Sequence, residues 1–268
     1  MIRFIHLSDL HIHSNNSKED NVNCKKVVDH LIDKYQTKKP VILITGDIVD
    51  DGYVKQYKNA VELLRPLVDN KFRVLAVPGN HDYGPLGNIY TEKSQALFQE
   101  HILCNLLDNK KAQRTGIGME DLYPMKTIIK NTLFIGVDSV VGAEDEFLHF
   151  ASGEVGEPQR EKLNQYIQDN KDPKRNTVVY FHHHPFNRQF VMEMNDASEV
   201  LRLLAGKIQV LCFGHDHKSE AYNDKFNIEW MLASGKTTKP NSSNRLQYRK
   251  VSLEDGHSGV SLESFDIS

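Results

Sequence analysis

The chain has 268 residues, 39% of them hydrophobic and 26% charged, enough to bury one large core or two small ones. A formal net charge of -3 gives no broad basic field of the kind that holds nucleic acid, which argues against such a partner. No apolar run approaches the roughly 18 residues of a membrane span, no signal-peptide pattern opens the chain, and Cys24, Cys104 and Cys212 suggest neither a disulfide framework nor a thiolate metal site. A cytoplasmic protein without a membrane partner is expected.

The first candidate strand, 2–7, is apolar but ends in HLSDLHIHS, with Asp9, His11 and His13 on alternate positions. In extended backbone, residues two apart face the same side, so Asp9 and His11 are expected to reach one point. Val27, Val28, Leu31, Ile32 and Tyr35 then recur at helical spacing. A strand at 41–45 precedes a helical stripe at 55–68, where Pro66 is expected to kink the helix or end it early. A strand at 72–78 and a helix at 94–107 follow. Residues 108–124, with Gly116 and Gly118, read as an irregular excursion. Strands at 132–138, 177–182 and 208–213 alternate with helices at 157–168, whose Pro158 suits a first turn, and at 197–205. The tail changes character, with strands at 226–233, 246–253 and 259–266 and a turn at Asp255-Gly256. Strand–helix alternation implies a largely parallel sheet under helices. The tail implies a second or mixed sheet within one domain spanning 1–268.

The polar burst after the first strand repeats. Strand 41–45 ends in TGDIVDDG, 72–78 in PGNHDYG, 177–182 in HHHPF and 208–213 in GHDH. Open α/β sheets bind ligands beyond the carboxyl ends of their strands. Five strands thus bring Asp9, His11, Asp47, Asn80, His81, the His182–His184 run, His215 and His217 toward one edge. Asp9, His11, Asp47, Asn80, one histidine of the run, His215 and His217 make seven ligands. One four-coordinate ion would leave several uncompensated at close quarters, a costly arrangement where water is scarce; two divalent cations bridged by Asp47 satisfy all of them. With N and O donors and no thiolate, Mn, Fe, Zn, Co or Ni are the expected metals.

The ordered motifs D-x-H, G-D, G-N-H-D, H-x-P and G-H-x-H, spread from residue 9 to residue 217, resemble the calcineurin-like metallophosphoesterase superfamily. The length and the MLASGKTTKP segment after G-H-x-H look most like its bacterial cyclic-nucleotide phosphodiesterase branch. The resemblance implies an α/β fold of four αββα layers, two mixed β-sheets flanked by helices with the dimetal site at strand carboxyl ends. It implies that Asp9, His11, Asp47 and His217 hold one ion, and that Asp47, Asn80, His183 and His215 hold the other. H-x-P spacing selects His183, leaving His182 and His184 beside the metal, facing substrate, or structural. His81 would contact the phosphoryl group and assist the leaving oxygen. In some relatives a residue placed like Asp50 orients it, and a carboxylate there would also keep the imidazole protonated; a simple turn residue is the alternative. Asp51 and Asp82 read as exposed or capping.

Two cations about 3.5–4 Å apart would acidify a shared water and clamp phosphoryl oxygens for in-line attack. No GxSxG elbow or GxxxxGK(S/T) loop offers another route. The expected substrate is a small-molecule phosphodiester, a cyclic nucleotide or similar. Lys236, Lys239 and Arg188 are candidates for binding its phosphate alongside Asn80 and His81, although surface lysines are usually solvated. Phe186, Phe190, Met192 and Met194 could wall a base or alcohol, or pack in the core. Rival readings are a phosphomonoesterase or phosphoprotein phosphatase, although GDIVDDG and GNHD lack the arginines of such relatives. A nuclease and a non-catalytic protein-binding scaffold are weaker still, since the full ligand set and His81 are present. Many relatives pair as homodimers.

Overall fold

The computed structural model describes residues 1–140, 151–187, 192–254 and 257–267. Its elements in chain order begin with β1 (Ile2–Leu7), α1 (Glu19–Lys34), β2 (Val41–Thr45), α2 (Val54–Asp69) and β3 (Val74–Val77). Short 3₁₀ turns at Asn80–Tyr83 and Pro85–Gly87 lead to α3 (Glu92–Leu97), which widens into π-helical turns over Phe98–Leu106. A single turn, α4 (Met119–Leu122), precedes β4 (Met125–Ile129), β5 (Thr132–Gly136), α5 (Glu157–Asp169), β6 (Asn176–Tyr180), α6 (Ala197–Leu204) and β7 (Val210–Phe213). The chain ends with β8 (Glu220–Lys225), β9 (Ile228–Ala233), β10 (Arg245–Glu254) and β11 (His257–Asp266).

Two mixed sheets result. One runs β11-β10-β1-β2-β3 and the other β4-β5-β6-β7-β9-β8. Strands β1, β2 and β3 are parallel, as are β5, β6, β7 and β9; the remaining strands join antiparallel. Their central strands are buried on both faces, which is why VILIT and VLCF read as unbroken apolar runs. Val27, Val28 and Leu31 of α1 and Leu64 and Leu67 of α2 pack in the cluster that also holds the inter-sheet residues Phe4, Phe134, Val178 and Tyr180. Leu163 of α5 and Val200 and Leu204 of α6 pack with Val179 and Phe181 on the other face of the second sheet. These are the four αββα layers the resemblance implies. Each fully buried Leu, Ile or Phe contributes roughly 1.5–3 kcal/mol to holding them together. Phe4 and Phe134 meet edge to face across the sheets at 5.8 Å.

One buried cation also joins the sheets. Arg249 of β10 donates to the carbonyls of Glu220 (3.0 Å) and Ala233 (3.1 Å). It thereby fixes where β9 ends and the loop from Ser234 begins.

Helix α2 runs past Pro66 to Asp69, less than one turn further, because a proline so near a C-terminus disturbs few hydrogen bonds. Two strands escape the sequence pattern. Edge strands β4 and β8 alternate between half-buried and exposed residues without a fully buried position, so neither carries an apolar run. Each joins its neighbour through a two-residue turn, Lys130-Asn131 or Phe226-Asn227, with left-handed φ at Lys130, Phe226 and Asn227 but none of the glycine that signals such turns. The expected Asp255-Gly256 turn lies outside the described residues.

Candidate metal centre

The strands end before their polar residues begin, and the backbone then turns sharply. Asp9 (φ 54°), His11 (46°), Asp47 (49°), His215 (75°) and His217 (56°) are all left-handed. The extended alternation expected at Asp9 and His11 is therefore corrected: β1 stops at Leu7, and two left-handed residues re-aim the side chains. Non-glycine residues adopt such φ only where surroundings impose it. Here the imposition is the neighbouring loop. Asp9 N–H donates to Gly46 O (3.1 Å), His11 N–H to Asp47 O (3.0 Å) and Ile12 N–H to Ile48 O (3.0 Å), so the loops after β1 and β2 continue the strands' pairing. Gly79 is required for close approach, since a Cβ there would collide with the Asp47 carboxylate and lie 2.9 Å from His182 Nδ1.

Two groups of side chains meet at Asp47. In one, ligand atoms of Asp9, His11, Asp47 and His217 all lie within 4.8 Å of one another. His11 Nε2 is 3.1 Å from His217 Nε2 and 3.7 Å from Asp47 Oδ2, and His217 Nε2 is 3.4 Å from Asp9 Oδ1. In the other, Asp47, His182 and His215 converge within the same limit. His182 Nε2 lies 3.0 Å from Asn80 Oδ1, 3.1 Å from His215 Nδ1 and 3.2 Å from Asp47 Oδ2. Asp47 Oδ2 thus faces both groups, while its Oδ1 accepts from the His81 main-chain N–H at 2.9 Å.

The sequence expectation gave the middle histidine, His183, a place in the second group; the structure puts His182 there. His183 Nδ1 sits 2.8 Å from Ser139 Oγ, which also accepts from the main-chain N–H groups of His182 and His183 at 3.2 Å. Strand parity accounts for the difference. Val178 and Tyr180 face the other sheet, while Val179 and Phe181 face α5 and α6, so the next residue on the inter-sheet side is His182. His184 packs on Phe186 (4.4 Å between ring centroids) and Phe213 (4.7 Å).

Electrostatics favour a cation. Burial pushes the Asp9 carboxyl up, but the His217 hydrogen bond and charge outweigh it and hold it at about 2. Asp47 is likewise held well below the usual carboxylate range, burial being overcome by the charges of His182 and His81. Burial pushes His182 down, yet the Asp47 carboxylate lifts it to about 9. Burial and then His182's charge lower His215 to about 3. His182 is thus left as counter-charge to two buried carboxylates. Imidazole nitrogens facing each other at 3.1 Å, as in His11–His217 and His182–His215, repel unless a proton or cation lies between them. This donor set fits divalent cations with N and O ligands.

His81 is half-buried, its Nδ1 2.7 Å from the main-chain carbonyl of Asp50. The Asp50 carboxylate, expected to face His81, instead reaches His11 Nδ1 (3.1 Å) and His13 Nδ1 (3.1 Å). Lys236 donates to Asp20 at 3.0 Å, and Lys239 is exposed. Arg188 and Phe190 lie outside the described residues. Phe186 and Met194 line a cavity of about 550 Å³ with Pro185, Leu201 and Phe226; Met192 is half-buried. Asp82, read as exposed or capping, is fully buried and does cap, at the start of the Asn80–Tyr83 turn. It accepts from the N–H groups of Val49 (2.9 Å), Ile48 (3.2 Å) and Gly79 (2.9 Å), bracketing the loops that carry Asp47 and Asn80. Burial and then Asp47's charge raise it to about 7. Nothing in its local sequence distinguishes it from a turn residue.

Residues 2–219 match the calcineurin-like phosphoesterase family. The chain is 24% identical over 240 residues to the 3′,5′-cyclic adenosine monophosphate phosphodiesterase CpdA of Haemophilus influenzae, covering 86% of this chain and 73% of that protein. It is 25% identical over 225 residues to a probable cyclic nucleotide phosphodiesterase of Coxiella burnetii, covering 81% and 76%. A dimetal phosphatase from Danio rerio shares the fold, with a TM-score of 0.71 at 14% identity over 100% of this chain and 99% of that one. Among the described residues no helix is long and apolar enough to cross a membrane. With the family spanning most of its length and carboxylates and imidazoles gathered at its strand ends, the chain belongs to the calcineurin-like phosphoesterases and is a metal-dependent phosphoric ester hydrolase.

Proposed function

We propose that the protein hydrolyses a small-molecule phosphodiester, with a cyclic nucleotide as the leading substrate class. Asp9, His11, Asp47 and His217 hold one divalent cation; Asp47, Asn80, His182 and His215 hold the other. The observation that carries this reading is Asp47 Oδ2 facing both groups, 3.7 Å from His11 Nε2 and 3.2 Å from His182 Nε2. When bound, the cations neutralise phosphoryl charge and make water nucleophilic near neutral pH. Mn, Fe, Zn, Co and Ni all suit the donors.

The chain's own residues do the rest. Asp47 Oδ1 fixes the main chain of His81, and the Asp50 carbonyl holds Nδ1, leaving Nε2 to meet the substrate and give a proton to the departing oxygen. Asn80 donates through Nδ2 to Gly87 O at 3.0 Å, which aims Oδ1 at the second group. Lys236 is matched by Asp20 at 3.0 Å. The names of the relatives favour the phosphodiester class. The free thiols Cys24, Cys104 and Cys212 suit a reducing compartment such as the cytoplasm.

Chelator-stripped protein with Mn²⁺ restored tests the reading against bis(p-nitrophenyl) phosphate, p-nitrophenyl phosphate and then 3′,5′-cyclic AMP. Metal-dependent preference for the diesters is expected. A monoester preference moves the protein to the phosphatases, and bound metal without any hydrolysis moves it to the scaffolds.

A further inference from the structure

We propose that Asp20 and His13 are positioning residues that fix His11 toward its cation through Asp50. This rests on the reading of Asp9, His11, Asp47 and His217 as metal ligands. His11 Nδ1 lies 3.1 Å from Asp50 Oδ1, and Asp50 Oδ2 lies 3.1 Å from His13 Nδ1. His13 Nε2 lies 3.2 Å from Asp20 Oδ2. Asp20, in the first turn of α1, is anchored in turn by Lys236 Nζ (3.0 Å) and Thr238 Oγ1 (2.7 Å). The result is an unbroken line of alternating imidazole and carboxylate from a metal-facing ring to the loop after β9.

A carboxylate on one nitrogen of a ligating imidazole fixes its tautomer and ring plane, so that the other nitrogen points at the metal. Asp50 does this for His11. Its side chain is partly exposed, however, and an exposed carboxylate on its own would swing. His13 holds the second oxygen of Asp50, and Asp20 holds His13. The loop that anchors Asp20 also grips the backbone before His11: Thr237 N–H donates to Ser8 O, Ser8 N–H to Thr237 Oγ1, both at 3.0 Å, and Thr238 Oγ1 reaches Leu10 O at 3.2 Å. Lys236, which the sequence offers as a phosphate contact, is thereby assigned to the far end of the line.

The line can be cut without unmaking the turn that carries it. The main chain of His13 is held separately, by Asn21 (His13 N–H to Oδ1, 2.8 Å; Nδ2 to His13 O, 3.0 Å) and by Asn59 Nδ2 (2.8 Å to His13 O). The second group is backed differently. His182 Nδ1 lies 2.7 Å from the main-chain carbonyl of Thr45, with no side-chain carboxylate between it and the protein frame. Cutting the line should therefore weaken one cation and spare the other.

Calorimetric titration of chelator-stripped protein with Co²⁺, read together with the Co²⁺ absorption spectrum, tests this. Asp20→Asn and His13→Leu are each expected to weaken one of two binding events by roughly ten- to a hundred-fold. The other event should stay unchanged, as should the melting temperature of the metal-free protein. Lys236→Met should weaken the same event to a smaller degree. Two unchanged events in both line variants, equal weakening of both events, or a fall in the metal-free melting temperature that accounts for the loss would each overturn the line while leaving the ligand reading standing. Unchanged Co²⁺ binding with a raised KM in Lys236→Met would return that residue to substrate contact. A wild-type protein that takes up no Co²⁺ would overturn the ligand reading, and the line with it.

Discussion

The two groups of side chains in the candidate metal centre share Asp47 but are built differently. On the His217 side, the His217 side chain is 42% exposed, and the backing of His11 is the Asp50 carboxylate, itself 28% exposed. On the His182 side, His182 is fully buried, His215 nearly so, and the backing is a main-chain carbonyl. A backbone acceptor inside a packed sheet has one position; a carboxylate on a loop has many and needs partners to choose among them. One half is therefore set by the fold itself, and the other by side chains that converge from the loops after β1 and β2, from α1 and from the loop after β9.

Removing the shared residue tests the comparison most severely. Asp47→Ala should release both cations and lower turnover by at least ~10³-fold, about 4 kcal/mol of barrier; two retained metals by elemental analysis would break the assignment. His81→Ala, by contrast, should keep both metals while losing roughly 10²–10⁴-fold in turnover, the range of a lost proton donor. Unchanged turnover would remove His81 from the reaction.

A smaller effect separates the adjacent histidines. His182→Ala should reduce bound metal from two ions to one, because it removes the nitrogen facing Asp47, Asn80 and His215. His183→Ala should keep both ions and instead cost roughly 1–3 kcal/mol of stability, from the cavity and the stranded Ser139 hydroxyl. The reverse pattern would restore the H-x-P spacing as the guide. Chelation of the wild-type enzyme should be biphasic, the ion at the His217 side leaving first because solvent and chelator reach it there; simultaneous loss would mean that exposure does not govern exchange.

Much of this arrangement was legible in the sequence. Unbroken apolar runs such as VILIT mark strands buried on both faces, and Asp, Asn and His at five strand ends mark a shared edge. The convergence of His182 with Asp47 and His215 was also within reach, since His182 follows Val178 and Tyr180 at period two, whereas motif spacing points to its neighbour. Other features depend on the assembled fold. Left-handed φ at Asp9, His11 and Asp47 is imposed by pairing between two loops and leaves no local trace without glycine. Asp82 caps its own turn at Gly79 but gains its hold on Ile48 and Val49 only when the loops after β2 and β3 lie side by side. Asp20 and Lys236 meet across most of the chain length, and edge strands β4 and β8 bury too little to show an apolar pattern.

The smallest expected effect lies away from the centre, in the frame that holds the exposed half. Glu263 of β11 accepts from Lys250 of β10 (2.9 Å) and Lys34 of α1 (3.0 Å), and these hydrogen bonds hold its carboxyl down from 4.5 to about 2. A depressed carboxylate gives stability that is present above the unfolded value of 4.5 and lost as pH falls through the folded value of about 2. The pairs are partly exposed and screened by salt, so the contribution is only ~0.2–1 kcal/mol. Glu263→Gln should therefore lower the melting temperature slightly at pH 6, and the difference from wild type should vanish as pH approaches 2. Metal affinity at pH 6 should not change in either half, because α1 reaches His11 through Asp20 at its opposite end. If Glu263→Gln loosened the cation on the His217 side, the tilt of α1 rather than the Asp20–His13–Asp50 line would be what sets His11.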